Sequence, residues 1–320
     1  MADRLLVTGA LGYLGGRLCL HLHEVGHDLR LVTRRPPETR PRWSADMAVV
    51  RAEGDDDAAL DALCRGRDTV LHLSATNEIA AAADPAQALV DTSLSTLRLV
   101  RAAERQGVRR FVYMSTAHVY GAPLAGRIDE ATLPRPVHPY AITHRAAEDF
   151  VLAARDKMQA LVLRLSNGLG APADPLIDRW TLIANDLSRQ AVRERRLVLR
   201  SSGLQRRNFI ALGDVCRAVE HCLAVPAAVW GDGLFNLGGD GSMSILDLAR
   251  IIAARCQAVL CFTPPVDRPQ PAPGERHPDL DFRSDKLKAT GFAATGSLVE
   301  EIDRTLLLCR DAFGAERATS

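Results

Sequence analysis

Lysine is scarce in this chain. Among 320 residues there are only three lysines, Lys157, Lys286 and Lys288, so arginine supplies nearly all of the 40 basic residues. The 39 acidic residues balance them to a formal net charge of +1. Since no long excess of one sign can be found, the composition does not favour nucleic acid or a membrane surface as a partner. A hydrophobic content of 47% is enough for a large core.

Paired cysteines and long apolar runs are missing as well. The seven cysteines are odd in number and include no Cys-x-x-Cys pair, which favours buried thiols in a reducing compartment over a disulfide framework or a metal site. No apolar run reaches the roughly 20 residues of a membrane span, and a strand pattern begins by residue 5, which argues against a signal peptide. We therefore expect a cytoplasmic protein with no metal, membrane or nucleic-acid partner.

What the sequence does contain is a glycine turn at its start. The apolar run Leu5–Val7 leads into Thr8, and glycines follow at positions 9, 12 and 15 before an amphipathic helical pattern begins. Glycines at this spacing let the backbone turn tightly and approach a ligand, and the helix start offers unpaired N–H groups to a pyrophosphate. The motif predicts a dinucleotide site; the alternative is an ordinary strand-turn-helix corner.

The Thr-Gly-x-x-Gly-x-x-Gly run resembles the extended short-chain dehydrogenase/reductase family, also called the NAD-dependent epimerase/dehydratase family, in its nucleotide-sugar-modifying branch. The resemblance implies that the cofactor is bound by the turn, by the loops after the third and fourth strands and by one helix. These residues are Thr8, Gly9, Gly12, Tyr13, Leu14, Gly15, Asp55, Leu73, Ser74, Ala75 and Thr92. Thr92 stands where many members have an asparagine that supports the active site.

Strand-like runs alternate with helical patterns, which predicts an α/β fold with a Rossmann-like, doubly wound parallel sheet. The runs are 4–8, 28–33, 47–51, 69–73, 110–114 and 159–165. We expect a dinucleotide-binding domain over 1–165. Residues 166–320 would form a smaller, mainly substrate-binding domain with loops and short helices, among them 205–209, and with some segments that return to the sheet. Apolar stripes on helices 85–106 and 139–155 favour a homodimer.

The end of the second strand indicates the cofactor type. An acidic residue there usually binds the ribose of NAD, whereas arginine suits the 2′-phosphate of NADP. This strand ends in Arg34 and Arg35 with no acid. We therefore predict NADP(H), with NAD(H) as the alternative if both arginines are merely solvated.

A catalytic segment follows the fifth strand. Ser115 to Gly121 is similar to the family's Ser-[Ser/Thr]-x-x-Val-Tyr-Gly, which implies that Thr116 binds the reacting sugar oxygen and that Ala117 and His118 adjoin the substrate. Sugar dehydratases of the family carry Asp and Glu at these last two positions. The sequence therefore argues against a dehydratase.

The acid/base residue implied by the resemblance is the tyrosine of Tyr-x-x-x-Lys, which here is Tyr140 with His144 in place of the lysine. Positions i and i+4 share a helix face, and the resemblance implies that Tyr140 and His144 also contact the cofactor, where one imidazole N–H replaces a three-donor ammonium. A largely neutral histidine supports phenolate only weakly, so the change handicaps alcohol oxidation more than ketone reduction, which needs the phenol as acid. Two alternatives stay open: the site has lost catalysis, or a carboxylate such as Glu148 keeps His144 charged.

Later segments resemble the nucleotide-sugar members, including Arg-x-x-Asn at 164–167 and the Pro-Gly-Glu turn at 273–275. The resemblance implies Asn167, Arg207 and Arg276 as ligands of the substrate diphosphate, where arginine forks suit phosphate oxygens. The predicted function is an NAD(P)(H)-dependent ketoreductase acting on a nucleotide-activated sugar, with Tyr140 as general acid. The alternatives are an epimerase of the UDP-glucose 4-epimerase type and a non-catalytic dinucleotide sensor.

Overall fold

The computed structural model describes residues 3–34, 40–52 and 56–314. The strands in this part are β1 Arg4–Thr8, β2 Asp28–Thr33, β3 Ala48–Arg51, β4 Thr69–His72, β5 Arg110–Thr116, β6 Gly126–Ile128, β7 Gln159–Leu165, β8 Asn167–Leu169, β9 Leu197–Val198, β10 Arg206–Ala211, β11 Leu234–Leu237, β12 Ser242–Ser244, β13 Val266–Asp267 and β14 Leu280–Phe282. The helices are α1 Tyr13–Glu24, α2 Asp57–Cys64, α3 Glu78–Ala83, α4 Pro85–Ala88, α5 Ser95–Arg105, α6 Pro139–Ala153, α7 Ile183–Glu194, α8 Leu212–Ala224, α9 Ile245–Leu260, α10 Asp285–Lys288 and α11 Leu298–Phe313.

Seven parallel strands form the main sheet in the order β11-β7-β5-β4-β1-β2-β3. The strand order reverses between β1 and β4, which is the place where doubly wound sheets bind ligands beyond their carboxyl ends. β5 runs two residues further than its apolar pattern predicts, to Thr116. The predicted parallel α/β sheet is confirmed, and β11 shows that the later half of the chain returns to it.

Helices cover both faces of the sheet. One face packs mainly against α1 and α8, through residues such as Leu18 and Val219. The other face packs against α2, α5 and α6, where Leu99 and Val151 are buried. The interior residues of β5 are buried because their side chains pack against the helices on one face of the sheet or the other.

A separate hydrophobic cluster joins α7, α9 and α11. The prediction of loops and short helices over 205–209 is wrong, because this segment enters β10, which pairs with β8 and β12. The partner strands come from distant parts of the chain, so no local pattern announces them. The domain boundary at residue 165 stays a prediction. In the described part of the chain no helix is long and apolar enough to cross a membrane.

Candidate active site at the carboxyl edge of the sheet

Two of the three glycines in the turn between β1 and α1 are closely packed against backbone atoms, whereas the third has open space beside it. A Cβ on Gly9, whose φ is +66°, would lie 2.8 Å from the carbonyl carbon of Leu73, and a Cβ on Gly15 would lie 2.2 Å from the oxygen of Gly9. On Gly12 it would meet only that same oxygen, at 3.1 Å. Gly9 and Gly15 are thus required by the chain's own packing, whereas Gly12 leaves space for a ligand.

The start of α1 adds donors to this space. Gly12 caps the helix without any side-chain hydrogen bond to its first N–H groups, and no acidic residue stands in its first turn. Unpaired N–H groups and the positive end of the helix dipole attract an anion. The turn therefore fits the pyrophosphate of a dinucleotide.

A hydrogen-bonded chain orients Thr8 beside this turn. The Thr96 hydroxyl donates to the carbonyl oxygen of Thr92 at 2.6 Å, so it accepts from Nε2 of His72 at 2.9 Å. The Nδ1 atom of His72 then accepts from the Thr8 hydroxyl at 2.6 Å. Burial lowers the pKa of His72 to about 4, so the ring is neutral and keeps one tautomer.

The loop after β4 is held from two directions. The Leu73 amide donates to the oxygen of Thr8 at 3.2 Å, and the Thr76 amide donates to the Thr92 hydroxyl at 3.0 Å. Thr92 lies in a π-helical segment, Leu89–Leu94, between α4 and α5. Its hydroxyl thus supports the loop that carries Ser74 and Ala75, although an asparagine is usual at this position.

Other predicted cofactor residues have different surroundings. The Tyr13 hydroxyl donates to the oxygen of Gly170 at 2.7 Å and ties the turn to the later half of the chain; Leu14 follows in the first turn of α1. Arg34 is exposed at the end of β2, with its guanidinium 3.6 Å from the carboxylate of Asp91. Arg35 and Asp55 lie outside the described residues.

Thr116 and Tyr140 meet at the carboxyl end of β5. The Thr116 hydroxyl accepts from the His118 amide at 3.2 Å and lies close enough to Tyr140 to affect its pKa. α6 begins at Pro139 because the His138 ring caps it, its Nδ1 accepting from the Tyr140 amide at 3.2 Å. Burial raises the pKa of Tyr140, and the neighbouring Thr116 hydroxyl opposes this only in part. Tyr140 is therefore a phenol at neutral pH.

His144 lies one turn further along α6, beside Tyr140. The two ring centroids are 4.5 Å apart in an edge-to-face arrangement. Burial, with the nearby His72 and His118, lowers the pKa of His144 to about 3. Nδ1 lies 2.7 Å from the Tyr113 hydroxyl, and Nε2 is buried with no hydrogen-bond partner among the described residues. A neutral ring thus occupies the position of the lysine.

The hypothesis that Glu148 keeps His144 charged is wrong. Both Glu148 oxygens are engaged elsewhere: Arg164 donates to them at 2.9 and 2.7 Å, Ser115 donates at 2.5 Å and Arg145 at 3.0 Å. Glu148 is fully buried and Arg164 is 1% exposed. This ion pair joins α6 to β5 and β7, and so fixes the helix that carries Tyr140. Sequence reasoning missed it, because only the fold brings its members together.

The substrate side of the site holds several charged groups. Ala117 is buried, while desolvation and then the positive charge of Arg207 lower the pKa of His118. Sequence analysis did not single out Glu78 and Arg179, which form an ion pair at 3.1 Å between the start of α3 and the segment after β8. Their opposite charges both act on Tyr140, so they lie at the reacting end of the site.

Two of the predicted diphosphate ligands differ in what they contact. The Asn167 amide nitrogen donates one of its two N–H groups to the backbone oxygen of Asn208 at 2.8 Å, which leaves the second N–H as a donor for a ligand. Asn208 in turn forms hydrogen bonds with the backbone of Gly239 and Gly241, so its role is structural. Arg276 is exposed in the irregular segment before β14. Within the described residues, no hydrogen bond or ion pair joins it to Asn167 or to Arg207.

Comparisons with known proteins agree with this architecture. The model of the NAD dependent epimerase/dehydratase family matches residues 5–238. A dTDP-D-glucose 4,6-dehydratase of Mus musculus is 35% identical over 156 residues, which cover 48% of this chain and 41% of that protein. A UDP-glucose 4-epimerase of Streptomyces lividans is 26% identical over 276 residues, which cover 79% of this chain and 80% of that one.

A solved structure is similar over nearly the whole chain. It is titled MoeE5 in complex with UDP-glucuronic acid and NAD, and it matches with a TM-score of 0.75 and 27% identity, covering 96% of this chain and 99% of that chain. The curated dehydratase match spans less than half of either chain, whereas the structural match spans both. The later half of the chain, including β10 and α9, therefore belongs to the shared fold.

Proposed function

Since the chain belongs to the NAD dependent epimerase/dehydratase family, we propose that it is a nicotinamide-dependent oxidoreductase that reduces a keto group of a nucleotide-activated sugar. The nucleotide-sugar substrates of the similar proteins support the substrate class. Ala117 and His118, in place of an acidic pair, argue against dehydration.

The observation that carries this proposal is the state of Tyr140. Its pKa is raised by burial, and the neighbouring His144 is neutral and cannot stabilise a phenolate by its charge. Ketone reduction starts from the phenol, because the carbonyl oxygen must gain a proton. Alcohol oxidation starts from the phenolate, which this site holds at a very low population.

Each residue then has a defined role. When bound at the glycine turn, a reduced nicotinamide cofactor supplies the hydride that the carbonyl carbon accepts. Thr116 donates a hydrogen bond to the carbonyl oxygen and orients it, and the Tyr140 hydroxyl gives up its proton to that oxygen as the C–O bond becomes single. The resulting phenolate regains a proton from water. Arg207 and Arg276 bind the diphosphate, and the second amide N–H of Asn167 donates to it.

An epimerase is the second candidate, because the similar Streptomyces lividans protein is a UDP-glucose 4-epimerase that matches over most of both chains. An epimerase oxidises and re-reduces one substrate, so it uses Tyr140 in both protonation states. Binding of the dinucleotide without turnover of any substrate would identify the chain as a non-catalytic sensor.

For the cofactor we propose NADP(H) over NAD(H). Arg34, at the end of β2, supports this together with Arg35, which follows it in sequence, since a guanidinium pairs well with a 2′-phosphate. The Asp91 carboxylate near Arg34 would have to yield to that phosphate. The bound NAD of the similar MoeE5 structure supports the alternative.

We also propose a homodimer that is built on the π-helical segment and α6. Four large apolar side chains on these helices are 37 to 51% exposed: Leu89, Val90, Ile142 and Phe150. A dimer would bury this surface. Light scattering on the purified chain should give twice the monomer mass, and Phe150→Glu should give the monomer.

The experiment for the proposed activity is turnover of a panel of UDP- and dTDP-linked keto sugars with NADPH and NADH. We expect reduction of at least one, and a loss of about 100-fold or more in kcat for Tyr140→Phe, the usual range for a lost general acid. Thr305→Val is the matched control, because this buried hydroxyl on α11 donates to the backbone oxygen of Glu301 at 2.7 Å, within its own helix. Equal losses in both variants would contradict the assignment of Tyr140.

A further inference from the structure

A row of buried rings leads from the glycine turn to Tyr140. His72, which bonds to Thr8, stacks on Tyr113 with centroids 5.5 Å apart. Tyr113 lies next to His144, whose ring in turn meets Tyr140. Tyr113 has no role in the mechanism above, yet it is fully buried at the centre of this row.

The direction of the hydrogen bond between Tyr113 and His144 follows from counting donors. The two atoms are 2.7 Å apart, and the Tyr113 hydroxyl has no other hydrogen-bond partner in the described ranges. If Nδ1 were protonated and donated, the buried hydroxyl proton would have no acceptor, and Nε2 would be an acceptor without a donor. If the hydroxyl donates to Nδ1, only one group is left over, the N–H at Nε2. Leaving the fewest buried polar groups unsatisfied favours this second arrangement.

We propose that Tyr113 is a positioning residue that holds His144 in its neutral tautomer with the proton on Nε2, and that this N–H is kept for an oxygen acceptor of the bound dinucleotide. The first half of the proposal stands on the distances within the chain alone. The second half rests on the proposed function, because it takes the ligand to be the dinucleotide. The buried Nε2 atom without a partner is the observation that points to a ligand.

This arrangement explains how a histidine serves where a lysine is usual. A free neutral imidazole can place its one proton on either nitrogen. A partner on one nitrogen decides which nitrogen can donate, as for metal-bound histidines whose second nitrogen is fixed by an oxygen. Tyr113 does so here from β5, whose residues 111–116 are all buried. The site thus keeps one directed donor and gives up the positive charge.

The test uses nitrogen NMR on the full chain labelled in histidine, without cofactor. His144→Gln assigns the signals of His144. We expect the wild-type ring to carry its proton on Nε2, and Tyr113→Phe to shift the Nδ1 signal, because that nitrogen loses its hydrogen-bond donor. Added NADPH or NADH should move the Nε2 signal, and the dissociation constant should rise about three- to tenfold in Tyr113→Phe, the effect of losing one neutral hydrogen bond.

Thr305→Val is the control, since it removes a buried hydroxyl whose hydrogen bond within α11 has the same length, 2.7 Å, and should leave both the His144 signals and the affinity unchanged. A proton on Nδ1 in the wild type, or an unchanged His144 spectrum in Tyr113→Phe, overturns the proposal. If that variant does not fold, the wild-type tautomer and its response to the dinucleotide decide. Confirmed tautomer and affinity effects without reduction of any keto sugar would overturn the proposed activity and leave this inference intact.

Discussion

Replacing His144 by lysine should move the pH range in which Tyr140 acts as an acid. An ammonium group at the present ring separation of 4.5 Å stabilises a phenolate by about 4 kcal/mol at an effective dielectric constant of about 20. That is about three pKa units. In the wild type, burial raises the pKa of Tyr140. Its protonated form therefore persists above the usual tyrosine pKa of about 10.

The assay is kcat/KM for keto-sugar reduction as a function of pH. The wild type should show a plateau from neutral pH to about 10, and His144→Lys should begin to fall about three units lower. At each pH the equilibrium constant fixes the ratio of the reductive and oxidative kcat/KM values. The variant therefore shifts the two profiles together and leaves that ratio unchanged, so the handicap to oxidation concerns the pH range in which each direction operates and not their ratio at one pH.

His144→Gln is the matched control, because it is uncharged, can still donate a hydrogen bond and should keep the plateau. Where turnover is too slow, the absorbance of the phenolate, taken as the difference between His144→Lys and the double variant with Tyr140→Phe, reports the same titration. An unmoved profile in His144→Lys, or a wild-type profile that already falls near neutral pH, would refute the reasoning that a neutral His144 leaves Tyr140 protonated.

Three further predictions concern the turn, the cofactor and acid stability. Gly15→Ala should abolish dinucleotide binding in calorimetry, because its Cβ would lie 2.2 Å from a backbone oxygen, whereas Gly213→Ala meets nothing closer than 3.5 Å and should bind normally. Arg34→Ala should raise KM for NADPH several-fold and leave KM for NADH unchanged; equal effects on both would assign Arg34 another role. His72 and His144 have folded-state pKa values of about 4 and about 3, below the unfolded value of about 6.5. The unfolded chain binds more protons, so stability is lost as pH falls below about 6.5, by about 2 kcal/mol per histidine at about pH 5. Midpoints of urea unfolding at about pH 6.5 and about pH 5 check this. The same loss of stability in a variant with glutamine in place of both histidines would contradict it.

The first half of the fold follows closely from the sequence. Apolar runs bounded by Gly, Pro and charged residues mark the strands, and the predicted helix over 139–155 begins at Pro139 because a capping residue and a proline stand together there. β10 could not be predicted, since its hydrogen bonds go to β8 and β12. The helix predicted over 85–106 is interrupted by the π-helical segment, which no period in the sequence indicates.

The candidate site, like the fold, could be predicted from the sequence only in part. Thr116, Tyr140 and His144 are implied by the family resemblance, and a strand end and one helix turn are enough to place them near one another. The partner of His144 is different, since Tyr113 is 31 residues away on another element. Likewise helical spacing leaves open a pair of Glu148 with His144, but Arg164 binds Glu148 instead because β7 lies beside α6 in the fold. Charge pairing across elements depends on tertiary geometry that the sequence pattern does not contain.

The most direct test of the central claim is the stoichiometry of cofactor use. Purified protein is incubated with NADPH or NADH and a nucleotide-linked keto sugar, and in parallel with oxidised cofactor and UDP-glucose or UDP-glucuronic acid. The account predicts that equal amounts of reduced cofactor and keto sugar disappear, and that the second mixture stays unchanged at neutral pH. Interconversion of the UDP-sugars with no net change in cofactor would contradict it and assign an epimerase.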